Sequence, residues 1–173
     1  VSALLHELNC PSHEGRECIC PSVISPLALI GGWPEHRDHA AGLPVFQPVI
    51  GHGCRINAFV TIDAGTARPT RIGDNVLLMT KAHIAHDCDI GDDCEVASGA
   101  VLGGWVELGQ GVKVGLNATI RPRIKVGAGA RVGAGAVVVK DVPDGVTVVG
   151  NPAHPIGVDP MWNAWYEASR TAA

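Results

Sequence analysis

Aliphatic side chains recur along this chain at every sixth position. Counting by six from Ile72 reaches Leu78, Ile84, Ile90, Val96, Leu102, Leu108, Val114, Ile120, Val126, Val132 and Val138, with no polar residue among them. With about a quarter of the residues Ile, Leu or Val, such a run has a chance probability on the order of one in ten million. Ile50, Ile56 and Ile62 hold the same register, and four extra residues interrupt it before Ile72. Ile24 and Ile30 are expected to start an earlier coil.

A second apolar position falls four residues after each anchor and is often small: Ala82, Cys88, Cys94, Ala100, Ala118, Ala130 and Ala136 are examples. The residue just after the anchor is often glycine, as at Gly73, Gly91, Gly103, Gly109, Gly115, Gly127 and Gly133. Neither a helix period nor strand alternation fits a strict repeat of six. The chain instead turns a corner every hexad, and three short strands make one triangular coil of about 18 residues. The expected fold is all-β, a left-handed parallel β-helix of hexapeptide repeats. Residues 18 apart then stack at the strand spacing of about 4.8 Å. The glycines are expected to relieve crowding at bends where φ turns positive. The expected organisation is an N-terminal cap over 1–23, the β-helix over 24–156 and a short helical C-terminal cap over 157–173. Trp162, Trp165 and Tyr166 would supply the apolar area of that cap.

Composition narrows the function. The chain has 173 residues and is 46% hydrophobic but only 4% aromatic, so its core must be aliphatic. A net charge of −4 and the lack of a basic tract argue against nucleic acid as a partner. No apolar run is long enough to span a membrane, and the N-terminus does not read as a signal peptide. A cytoplasmic setting is the expectation. Cys88 and Cys94 fall on small core positions, where a thiol acts as a small hydrophobe. Cys10, His13, Cys18 and Cys20 form a possible metal cluster, although their spacing matches no common zinc pattern.

The chemistry concentrates in KAHIAHDCDIG. His83 and His86 flank the inward anchor Ile84, and Asp87 follows His86. An imidazole supported by a carboxylate is a general base. Adjacent strand residues point to opposite faces, so contact between His86 and Asp87 requires a bend. Eighteen residues beyond His86 is Gly104, and the next step is Pro122. A glycine one coil above a base leaves a backbone N–H for a developing oxyanion, as acyl transfer requires. Gly104 is also readable as a bend glycine.

GTARPTRIGDNVLLMTKAHIAHDCDIGDDCEVASGAVLGGWVELG closely resembles the UDP-N-acetylglucosamine acyltransferases of lipid A synthesis. That resemblance implies His86 as catalytic base, Asp87 as its support, His83 as a sugar contact and Gly104 as oxyanion donor. It also implies an acyl carrier protein as donor. Trp105 and Arg121 stand where that family has histidines, and Pro122 where it has glutamine. GLNATIRPRIKVGAGARVGAGAVVVKDVPDGVTVVGNPAHPI resembles instead the sialic acid and bacillosamine type of sugar acetyltransferase, which implies acetyl-CoA or another acyl-CoA. Both resemblances imply the same base, a homotrimer and a sugar acceptor, with no metal required. Arg121, Arg123 and Lys140 are candidates for CoA phosphates. Pro122, Leu116 and Ala134 are candidate walls for the pantetheine arm, and Trp105 is a candidate wall against the acyl or sugar group.

Two other classes are open to this sequence. A γ-class carbonic anhydrase shares the expected fold but needs three histidines converging on zinc, and His83 and His86 supply two. A non-catalytic β-helix is the third reading, because fold alone does not fix chemistry.

Overall fold

The computed structural model describes residues 22–32 and 45–156. The caps expected over 1–23 and 157–173 therefore lie almost wholly outside the described residues, as do Cys10, His13, Cys18 and Cys20.

The described chain is a three-sided solenoid of about six turns built from strands of two to four residues. One face runs through Val23–Ile24, Arg55–Ile56, Leu77–Leu78, Glu95–Val96, Lys113–Val114, Arg131–Val132 and Thr147–Val149. His154–Ile156 then closes that face as an antiparallel strand. The second face stacks Leu29–Gly32, Thr61–Asp63, His83–Ile84, Val101–Leu102, Thr119–Ile120 and Val137–Val138. The third stacks Val49–Ile50, Arg71–Ile72, Asp89–Ile90, Glu107–Leu108 and Lys125–Val126.

The ladder has the expected register. Ile84 pairs with Leu102 and Leu102 with Ile120, each 18 residues on. Across the four-residue interruption the step widens to 22, as in Ile62 with Ile84. Ile24 and Ile30 do form an earlier coil, paired with Ile56 and Ile62 at a step of 32. Every anchor from Ile72 to Val138 is buried, and so is every residue four positions after one. Cys88 and Cys94 lie fully inside, where burial pushes their thiols up to about 12 and about 11.

The glycine expectation needs correcting. None of the seven glycines that follow an anchor has positive φ. They are required by close approach. A Cβ on Gly109 would lie 2.6 Å from the Ala128 nitrogen of the next coil. Positive φ falls two residues later, at Asn75, Lys81, Asp87, Asp93, Gly99, Trp105, Gly111, Asn117, Arg123, Gly129 and Gly135. The coil thus places its left-handed residue at the third position of each corner.

Candidate functional site

His86 and Asp87 occupy the corner after the second-face strand His83–Ile84. Asp87 has φ 60°, so its side chain swings back instead of alternating away from His86. His86 Nδ1 lies 2.7 Å from Asp87 Oδ2. The bend needed to join the two residues is therefore present.

The Asp87 carboxylate is fully buried and surrounded by donors. Its Oδ1 accepts the backbone N–H groups of Thr66, Ala67 and Arg68 at 3.0, 2.8 and 2.8 Å. Its Oδ2 accepts the Thr66 hydroxyl at 2.6 Å. The Asp87 N–H donates to Thr70 Oγ1 at 3.0 Å. Burial by itself raises a carboxyl, but the bonds from Thr66, Ala67, Arg68 and His86 overrule it and hold Asp87 far below the usual carboxylate range. An ionised carboxylate only accepts. His86 Nδ1 is therefore the protonated nitrogen, and in the neutral ring Nε2 carries the lone pair.

Those donors come from the interruption in the hexad register. Its turn is tight enough that the Arg68 carbonyl occupies the space a Cβ on Gly65 would need. Phe46 and Gly65 hold the turn with a pair of backbone bonds of 2.9 and 2.7 Å. Sequence reasoning missed Thr66, Ala67, Arg68 and Thr70 as parts of the site. The available signal was the position of the break, one coil before His86.

Gly104 lies against the imidazole. A Cβ there would stand 2.6 Å from both Cε1 and Nε2 of His86. The 18-residue count therefore places Gly104 correctly, and on the ring edge that bears Nε2. Among the described residues the Gly104 N–H has no hydrogen-bond partner. At another corner the equivalent N–H groups of His52, Asp74 and Ala128 are capped by aspartates at 2.7, 2.8 and 2.9 Å.

His83 points outward from the same strand, half-buried, with Nδ1 2.7 Å from Thr61 Oγ1 and Nε2 4.0 Å from Asp63 Oδ2. Trp105 follows Gly104 with φ 65°. The guanidinium groups of Arg68 and Arg123 each stand 5.3 Å from its ring centre. Arg68 also donates from Nε to the Asp87 carbonyl at 3.1 Å. Arg68 Nη2 lies 3.6 Å from Glu107 Oε1, and Lys125 bonds the other oxygen of Glu107 at 2.9 Å.

The remaining expected site residues are distributed as follows. Pro122 stacks on Gly103, 2.6 Å from where a Cβ on Gly103 would be, one coil beyond Gly104 and two beyond His86. Arg121 and Arg123 are exposed on either side of it, and Lys140 lies a further coil on. Leu116 and Ala134 sit at the opposite edge of the second face, on the corner that precedes its strands. One chain does not bring the two columns together. Among the described residues, no three His, Cys, Asp or Glu side chains are grouped as metal ligands. No helix among them is long and apolar enough to cross a membrane.

Comparison with known proteins places this geometry. Residues 69–104 match the bacterial transferase hexapeptide family, described as six repeats. The acyl-[acyl-carrier-protein]–UDP-N-acetylglucosamine O-acyltransferase of Halorhodospira halophila is 42% identical over 84 residues, covering 47% of this chain and 30% of that protein. PerB from Caulobacter crescentus, solved with CoA and GDP-perosamine, is 31% identical with a TM-score of 0.68 over 80% of this chain and 58% of its own. LpxA from Acinetobacter baumannii is 30% identical with a TM-score of 0.75 over 84% of this chain and 57% of its own. The chain thus spans under a third of that curated relative and just over half of each solved one. In repeat, chain trace and sequence it is a left-handed parallel β-helix similar to the hexapeptide-repeat acyltransferases and sugar acetyltransferases.

Proposed function

We propose that this chain transfers an acetyl or short acyl group from a CoA thioester to an amino or hydroxyl group of a sugar or nucleotide sugar. One observation carries the reading. His86 is oriented by an ionised, buried Asp87, with Gly104, whose N–H is uncapped, against its Nε2 edge. His86 Nε2 takes the proton of the acceptor amine or hydroxyl as that atom bonds to the thioester carbonyl carbon. The Gly104 N–H donates to the carbonyl oxygen as it becomes an oxyanion. Collapse of the tetrahedral intermediate breaks the carbon–sulfur bond. The proton on His86 then passes to the leaving sulfur, which restores the base and releases the free thiol.

A single chain leaves this site incomplete. Its corner is open, and the columns of Pro122 and Leu116 lie at opposite edges of one face. Stacking second faces in a closed trimer would set Leu116 and Ala134 of one copy across from Gly104, Pro122 and Lys140 of the next. The outward residues of that face, Leu29, Thr61, His83, Val101, Thr119 and Val137, are uncharged apart from the titratable His83. Those of the third face include Arg71, Asp89, Glu107 and Lys125. The uncharged face supports burial between copies. Arg121, Arg123 and Lys140 would then meet the donor phosphates, His83 the sugar, and Trp105 the wall of the acyl or sugar pocket. A cytoplasmic setting, where CoA thioesters are made, fits this chemistry.

A second reading keeps the residues and changes the donor to an acyl carrier protein. The sequence similarity to the Halorhodospira O-acyltransferase favours it. Thermal-shift measurements with acetyl-CoA and longer CoA thioesters, set against acyl carrier protein loaded with the same chains, separate the two. His86→Ala tests the chemistry common to both. It should lower turnover by about 10²–10⁴-fold while the circular dichroism spectrum and melting point stay those of the parent. Unimpaired turnover would remove His86 from its role.

A further inference from the structure

Resting on the reading of His86 as the base, we infer that Thr66 is a positioning residue for acyl transfer, acting through Asp87. Three backbone donors hold Asp87 Oδ1, which stops the carboxylate from rotating. Oδ2 has a different task, because it must accept from His86 Nδ1 along one direction. The Thr66 hydroxyl reaches that same oxygen at 2.6 Å, against 2.7 Å for His86 Nδ1. It is the only side-chain donor to the Asp87 carboxylate other than His86 among the described residues.

Two consequences follow for the imidazole. The hydroxyl occupies part of the lone-pair space of Oδ2 and leaves a single approach for Nδ1–H, which sets the plane of the ring. It also disperses charge on Oδ2, so the carboxylate orients the imidazole and does not draw off its Nδ1 proton. Thr66 sits in the interruption between Ile62 and Ile72, so the break in the repeat serves the site and is not a passive loop. Outer-shell partners that orient metal-bound histidines are typically worth about 10–100-fold in activity, and we expect a similar effect from one that orients a metal-free base.

The test uses the full chain labelled with 15N at histidine, with His86 assigned through His86→Gln. In the parent, the Nδ1–H resonance should be protected from exchange with water. Thr66→Val should speed that exchange at least about tenfold, and Thr66→Ser should restore it. Thr66→Ala removes the hydroxyl without adding volume and replaces the valine variant if that one folds poorly. In turnover with acetyl-CoA and GDP-perosamine, the hydroxyl-free variants should lose about 10–100-fold in kcat with KM little changed. An Nδ1–H signal and exchange rate unchanged in both hydroxyl-free variants overturns the role of Thr66. Failure of the acyl-transfer reading looks different. The parent would then turn over no thioester, whereas the resonance would still respond to Thr66.

Discussion

Asp87, Trp105 and Arg123 stack on three successive coils, and all three hold left-handed backbone with φ of 60°, 65° and 66°. A left-handed residue with a Cβ costs roughly 1–2 kcal/mol relative to the right-handed form. The corner after the third face uses glycine at Gly53, Gly111, Gly129 and Gly145, with Asn75 and Asp93, residue types that tolerate this backbone, between them. Beside His86 the side chains on these strained positions make the carboxylate and the guanidinium–indole stack. The ionisation of Asp87 also links the site to stability. Its folded value is depressed below the ordinary 3.8, so its stabilising contribution is complete above about pH 4 and declines as pH falls below that. Asp87→Asn should therefore melt lower than the parent at neutral pH. The gap should narrow on acidification below pH 4, as followed by melting temperature against pH. A gap that stays constant with pH would place the stabilisation in something other than the charge.

The decisive element is the interruption between the coil of Thr61–Asp63 and that of Arg71–Ile72. It widens the ladder step from 18 to 22 residues while keeping Ile62 on Ile84. The core register survives because the extra residues are added at a corner, outside the apolar stack. Gly65→Ala tests the element as a unit. Its Cβ would fall on the Arg68 carbonyl, so the turn must re-form and Asp87 should lose several of its donors. We expect turnover to fall at least about tenfold. Ellipticity should be retained, because the aliphatic stack of Ile56, Leu78 and Val96 is untouched. Full activity in this variant would mean that the turn does not need its present shape.

Over the whole molecule the three faces differ in charge, and that difference bears on the proposed trimer. Val101 is partly exposed at the middle of the uncharged second face, one coil beyond His83. Val101→Asp would put a carboxylate on each copy at the proposed contact, where burying it unpaired is costly. We expect native mass spectrometry to move from trimer to monomer and turnover to fall with it. A trimer that withstands the substitution would place the contact on another face.

Much of this molecule is legible in its sequence. A strict period of six in Ile, Leu and Val determined the solenoid, its three faces and the stacking of Gly104 on His86, because one short-range rule repeats and its errors do not accumulate. The same ruler located the break before Ile72 but assigned it no purpose. Contacts such as those of Thr66, Ala67 and Arg68 with Asp87 join residues 19 to 21 positions apart through a non-repeating turn. No periodicity encodes them. The tertiary structure also decided that His86 and Asp87 meet, since alternation along a strand would separate them and only the left-handed φ at Asp87 brings the carboxylate back. The physical reason is common to both cases. A repeat transmits what each coil does to the next, whereas a site depends on where the chain departs from its repeat.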